Sequence, residues 1–183
     1  MVNDVRRAYF HAKITRDVFI ELPDEDPDHG ADLVGKLRLC LYGTRDAAKG
    51  WQETLSSHLV SLGFVRGVGH PSVFHHPEKD LKTLVHGDDY VSSGYGSDLS
   101  WLEEELKKAY EIKTQRLGIG KNLKTEGKVL NRIIRATDKG WEIEADPRHA
   151  ELVVEQLGLG NEKTVATPGL SGRTKIIFLM MSH

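Results

Sequence analysis

Cysteine is nearly missing from this chain. Cys40 is the single one in 183 residues, which excludes an internal disulfide and any CxxC zinc site. No apolar run approaches the roughly 20 residues of a membrane helix, so an integral membrane protein is not expected. Residues 2–10 hold Asp4, Arg6 and Arg7 and no apolar h-region, so no secretory leader is expected there. Nothing argues for an oxidising compartment, and the expected location is intracellular. A basic excess is lacking too: 25 basic and 27 acidic side chains leave a net charge of −2, unlike a dedicated nucleic-acid binder. What is present, 39% hydrophobic and 28% charged residues, is globular in type. The length suits one domain with a sizeable core, or one domain plus an appendage.

The charge is unevenly distributed. Seven acids and no Lys or Arg lie between Asp17 and Asp32. Between Lys107 and Arg135 there are nine bases (Lys107, Lys108, Lys113, Arg116, Lys121, Lys124, Lys128, Arg132, Arg135) against Glu111 and Glu126. Such a local excess can hold a phosphate backbone by counterion release. It can equally be a solvated face of a helix and hairpin.

Periodicity predicts strands at Val2–Val5, Val18–Leu22 and Val34–Leu39, with a turn or short helix after the first and a loop over Pro23–Ala31. A helix is predicted over 46–62, with Ala47, Trp51, Leu55, Leu59 and Leu62 on its buried face and Gly63 at C′. Strands Val73–His76 and Leu81–His86 follow, joined by Pro77–Asp80, and then a short apolar run at Tyr90-Val91. A second helix opens near Ser97-Asp98, both good N-cap residues, with Leu99, Leu102, Leu106 and Ala109 inward. Val129–Ala136 and Trp141–Ala145 read as a hairpin around Asp138-Lys-Gly140. Asp146-Pro147 opens a third helix with Ala150, Val153, Val154 and Leu157 inward. The order is that of an α+β fold, a sheet with helices packed on one face. No native-domain pattern is legible in Lys175–His183.

The sharpest local feature is His86-Gly-Asp-Asp89 between two strand-like runs. A tight turn there projects two carboxylates from one sheet edge, and Gly87 permits the bend. Adjacent carboxylates raise one another's pKa, a conflict that a divalent cation relieves. Their hard oxygens suit Mg²⁺, which takes one or two protein carboxylates plus substrate phosphates. The bland reading is an ordinary Asp-Asp turn. If Asp4, at the end of the first strand, lies beside that turn, three carboxylates converge. Three can hold two metal ions about 4 Å apart, as in-line phosphoryl or nucleotidyl transfer requires. Other signals are weak: Gly118-Ile-Gly120 reads as a turn, His75 and His76 face opposite ways on a strand, Trp51 and Trp101 read as core or core-edge residues, and Cys40 as a small buried hydrophobe.

Taken together, the segments resemble the reverse transcriptase of copia-type retrotransposons, in order from about Asp4 to Pro168. Asp4-Val-Arg-Arg-Ala-Tyr-Phe-His11 resembles the first catalytic motif, followed by Val18-Phe-Ile-Glu-Leu-Pro23. Leu41-Tyr-Gly-Thr-Arg-Asp-Ala-Ala-Lys-Gly-Trp51 resembles the leucine-tyrosine-glycine motif that leads into a helix. Leu62-Gly-Phe64 and Pro71-Ser-Val-Phe74 follow, then His86-Gly-Asp-Asp89 in place of tyrosine-x-Asp-Asp. Thr137-Asp-Lys-Gly140, the helix to Leu159 and Thr167-Pro168 resemble the C-terminal connection.

The resemblance implies a polymerase palm-type antiparallel sheet over 1–112, a basic connection or thumb-like segment over 113–170, and a tail of doubtful origin over 171–183. It implies Asp4, Asp88 and Asp89 as catalytic and metal-binding residues, with two Mg²⁺ ions (Mn²⁺ as a substitute). Arg7, Ala8 and Tyr9 would bind the nucleotide, Tyr9 lying under the sugar and excluding a 2′-hydroxyl. Lys107, Lys108, Lys113, Arg116, Lys121, Lys124 and Lys128 would meet the phosphates of an RNA or DNA template with its primer, positioning the duplex without reading it. Deoxynucleoside triphosphates and the rest of a retrotransposon polyprotein would be its partners, within cytoplasmic particles of the element. His86-Gly87, Asp46 (commonly glutamine) and Ala48 (frequently proline) depart from the family pattern. Only three residues precede Asp4, so a fingers region is expected to be missing, and an RNase H-like domain is expected to be missing downstream. The expectation is a fragment inactive alone, with a non-catalytic remnant that binds nucleic acid as the alternative. A palm-like nucleotide cyclase also uses carboxylates and two metals, but the helix landmarks follow the polymerase order.

Overall fold

The computed structural model describes residues 1–144 and 147–160, with Pro147 described in its backbone alone. Residues 1–144 form one compact unit, and a second begins at Ala145. Ala145, Asp146, Thr167-Pro168 and the tail from 171 lie outside the described residues, as does any expectation placed on them. The boundary expected between 112 and 113 falls inside a strand of the first unit.

In chain order the elements are β1 (Val2–Val5), a 3₁₀ turn (Ala8–His11), β2 (Phe19–Glu21), β3 (Val34–Lys36), α1 (Ala47–Ser61), β4 (Val65–Arg66), β5 (Val73–His76), β6 (Leu81–His86) and β7 (Asp89–Ser93). Then come α2 (Gly96–Ala109), β8 (Ile112–Gln115), β9 (Glu126–Val129), β10 (Arg132–Thr137), β11 (Gly140–Glu144) and α3 (Pro147–Gln156). One six-stranded sheet runs β4-β5-β6-β7-β1-β8, every neighbouring pair antiparallel. A three-stranded sheet runs β11-β10-β9, and β2 pairs with β3. The fold is α+β, as expected. Among the described residues no helix is long and apolar enough to cross a membrane.

Strand alternation sets which face of the large sheet is covered. On β6, Leu81, Thr83 and Val85 are buried while Lys82, Leu84 and His86 are exposed. On β7, Tyr90 and Ser92 are buried, and on β1, Asn3 and Val5. These apolar side chains share one core cluster with Trp51, Leu55 and Leu59 of α1 and with Leu102 and Leu106 of α2. Both helices therefore cover one face. Helix α1 buries Ala47, Trp51, Leu55 and Leu59, as its period predicts, whereas Leu62 is half-buried. It ends in a Schellman closure: Phe64 N–H donates to Leu59 O at 3.1 Å and Gly63 N–H to Val60 O at 3.0 Å, with Gly63 at φ 91°.

Several expectations change. Helix α2 opens at Gly96, and Ser97 and Asp98 lie inside its first turn. The reason is that the Tyr95 carbonyl already takes the first helical bond, from Leu99 N–H at 2.9 Å. Ala109 is exposed, and Tyr110 takes the inward place. The strand expected over 34–39 stops at Lys36, because the chain beyond it runs beside residues 12–14, with Cys40 N–H on Ala12 O at 2.8 Å. The strand expected over 129–136 is broken at Leu130-Asn131, both at positive φ (48° and 63°), the two-residue turn that closes β9 on β10. Helix α3 forms where its period predicts. Ala150, Val153, Val154 and Leu157 are nevertheless exposed, since amphipathic spacing specifies a helix but not what its stripe meets.

Candidate active site on the open face of the sheet

The face opposite the helices carries the candidate residues Asp4 and Asp89. Strands β6 and β7 are joined by the two-residue turn Gly87-Asp88, with Gly87 at φ 62°, and His86 pairs with Asp89 across it. Asp89 pairs in turn with Asp4 on β1, and Asp4 with Lys113 on β8. Residues directly opposite in antiparallel strands share a face. A row His86, Asp89, Asp4, Lys113 therefore crosses four strands. Asp88 is held at its rim by Val5 N–H, which donates to Asp88 O at 3.0 Å. The structure thus brings Asp4, Asp88 and Asp89 to one end of the β1–β7 pair.

Electrostatics report the crowding. The Asp89 carboxyl is pushed up from its ordinary value, first by burial, then by the charges of Asp88 and Asp4, with His86 opposing. Burial also pushes the Tyr42 phenol up, and the Asp88 charge adds to this. Tyr42 packs against Tyr9 at a tilt of 51°, ring centroids 4.5 Å apart, and Phe10 meets it edge-on at 5.9 Å. The charge of Asp88 is thus felt at Tyr42. The expected site residues did not include it, although the leucine-tyrosine-glycine segment was the available signal.

Among the described residues, no three His, Cys, Asp or Glu side chains are already arranged to hold a metal ion. The donor set nevertheless fits Mg²⁺. Its hard oxygens and mutual repulsion favour a small dication that takes only one or two carboxylates and completes its shell from phosphate and water.

Tyr9 also lines a cavity of about 190 Å³ with Trp51, Gln52, His86 and Gly87. Ala8 is buried, and Arg7 is exposed with a left-handed backbone, φ 54°. Neighbouring Arg6 is ion-paired with Glu111.

The basic run divides. Lys113, Arg116, Lys124 and Lys128 line one groove with Asp4 and Asp89. Arg116 is also held by Glu103, at 2.8 Å. Lys107 and Lys108 do not line that groove: they lie on α2, ion-paired with Glu103, Glu104 and Glu105. Lys121 is exposed in the turn after β8 and does not line it. Arg135 faces Glu126, Glu142 and Glu144. His75 is exposed and His76 buried, which rules out joint ligation, and Cys40 is a buried free thiol.

No family model matches the chain. The chain is similar to the "Retrovirus-related Pol polyprotein from transposon TNT 1-94" of Nicotiana tabacum, 26% identical over 178 residues, 94% of this chain. It is 32% identical over 94 residues, half of this chain, to that from transposon RE1 of Arabidopsis thaliana. With that from transposon RE2 of the same plant it shares 27% over 119 residues, 63% of this chain. These matches span 13%, 6% and 8% of the relatives' own lengths. The similarity supports an origin in a retrotransposon polyprotein.

Proposed function

We propose that the chain is the palm region of a reverse transcriptase, an RNA-directed DNA polymerase, within a retrotransposon polyprotein. The observation that carries this reading is the register that sets Asp4 opposite Asp89, with Asp88 at the adjoining turn. The relatives' printed description as Pol polyproteins supports it.

Asp4 and Asp88 are the main metal ligands in this reading, and Asp89 completes the triad near a primer 3′ end. Two Mg²⁺ ions bound there would lower the pKa of the primer 3′-hydroxyl and neutralise charge on the triphosphate and leaving pyrophosphate. Tyr9, held against Tyr42, lies under the incoming sugar and disfavours a 2′-hydroxyl. The backbone at Arg7 and Ala8 borders the triphosphate. Lys113, Arg116, Lys124 and Lys128 take the phosphates of a primer-template duplex, contacts that position without reading sequence. Lys107, Lys108 and Lys121 lie outside that groove and contribute at most to the surrounding field.

The test is incorporation of a single deoxynucleotide on a primed template with Mg²⁺ or Mn²⁺. Metal-dependent incorporation that Asp88→Asn abolishes supports the reading. The four-cation groove favours a second reading, a non-catalytic nucleic-acid binder, for which the result is salt-sensitive binding with no incorporation.

A further inference from the structure

The turn that carries Asp88 is poorly packed. His86 and Gly87 are exposed, and a Cβ built at Gly87 would meet no atom within 4 Å. On one side the turn borders the 190 Å³ cavity shared with Tyr9 and Trp51. Van der Waals contact therefore does little to hold it. Besides the strand-ladder pairings of His86 and Asp89, two hydrogen bonds tie the turn to other elements among the described residues. One is Val5 N–H to Asp88 O at 3.0 Å, from β1. The other comes from the covered side of the sheet: Trp51 Nε1–H of α1 donates to Gly87 O at 2.7 Å.

Trp51 is itself immobilised. It is 1% exposed and packs edge-on against Tyr110, centroids 5.3 Å apart, and at a tilt of 44° against His11 at 5.9 Å. A buried donor on the sheet-facing stripe of α1 thus reaches through to a turn with few packing contacts of its own. The peptide carbonyl it holds immediately precedes Asp88. Rotation of that peptide would redirect the backbone that carries the Asp88 carboxylate.

From this geometry we infer that Trp51 is a positioning residue: its indole N–H fixes the 86–89 turn so that Asp88 stays beside Asp4 and Asp89. The inference deepens the functional reading above and rests on it where metal binding is concerned. Groups that orient metal ligands without touching the metal typically change affinity by about 10- to 100-fold.

The experiment uses the full 183-residue chain in wild-type form, as Trp51→Phe, and with Trp51 replaced site-specifically by 3-benzothienylalanine. That analogue keeps the ring and its packing but removes the N–H, so it remains informative if the Phe variant does not fold. Two quantities are read: amide hydrogen exchange at residues 86–89, and Mn²⁺ affinity by paramagnetic titration, with Asp88→Asn as the reference. The expected result is faster exchange confined to the turn, with Mn²⁺ affinity lowered roughly tenfold and the melting temperature of the analogue unchanged. Turn exchange and Mn²⁺ affinity both equal to wild type would overturn the inference. So would a loosening spread evenly through α1 and the sheet, which marks a purely structural tryptophan. If the wild type shows no Mn²⁺ binding that Asp88→Asn removes, the functional reading fails, and turn exchange alone still decides the role of Trp51.

Discussion

On β1, Asn3 and Val5 turn to the face that the helices cover, while Asp4 turns to the open face. On β7, Tyr90 and Ser92 turn inward while Asp89 turns outward. The two faces are thus interleaved in the same short strands at period 2. The covered face brings Trp51, Leu55, Leu59, Leu102 and Leu106 onto the sheet and holds the fold together. The open face sets two carboxylates opposite each other and a lysine beside them, an arrangement that costs stability. One backbone register serves both faces, so a slip of one residue would bury the aspartates and expose the core.

The largest effect that separates the faces is a truncation on the covered one. Leu59 is fully buried, so Leu59→Ala should destabilise by about 2–5 kcal/mol, read by urea denaturation. A change under 1 kcal/mol would mean that α1 is not part of the same cooperative core.

The open face should respond in the opposite sense. Asp89 has its carboxyl pushed up in the folded state, so the fold favours the neutral form, and the ionised group opposes folding at any pH above its folded value. Asp89→Asn should therefore raise the melting temperature at pH 7, by a few degrees at most, while weakening Mn²⁺ binding. A lowered melting temperature would show that the carboxylate row stabilises the sheet.

The basic residues sharpen the same contrast. Lys124→Ala and Lys128→Ala, in the groove beside Asp4, should each reduce the log–log salt slope of nucleic-acid binding by about one. Lys107→Ala, on α2 and paired with Glu103 and Glu104, should leave that slope unchanged. Equal effects at all three positions would place the phosphates elsewhere.

The smallest effect concerns acid. His58 on α1 is pushed below its ordinary value of 6.5 by burial, with Glu105 opposing, and among the described residues its Nε2 has no hydrogen-bond partner. The folded state disfavours the charged ring, so this contribution is present above pH 6.5 and fades as pH falls through that value. His58→Gln should flatten the fall in stability between pH 7 and 5. A profile identical to wild type would assign the acid sensitivity to other groups.

Much of the covered face was legible in advance. The spacing of Ala47, Trp51, Leu55 and Leu59, and the alternation through Leu81–His86, report burial directly, because a helix and a strand repeat at different periods. Strand β8 was not legible: Ile112-Lys-Thr-Gln115 carries one apolar residue, and only its place beside β1 makes it a strand. The same holds for the break at Leu130-Asn131, where a leucine takes the left-handed backbone that favours glycine.

The aspartates could be singled out from residue type and spacing, and their convergence could be stated as a condition. Whether it was met depended on pairing between residues 85 apart in the chain, which local pattern cannot encode. Sequence alone determined the α+β class, the covered stripe of α1, the β6–β7 hairpin and the candidacy of the Asp88-Asp89 pair. Each of these follows from local periodicity and side-chain chemistry. Only the tertiary structure decided that Lys113 faces Asp4, that four of the seven candidate cations share its groove, and that Trp51 reaches the Asp88 turn. Those facts are set by register and by packing between distant segments, where the free energy of the whole sheet selects one alignment.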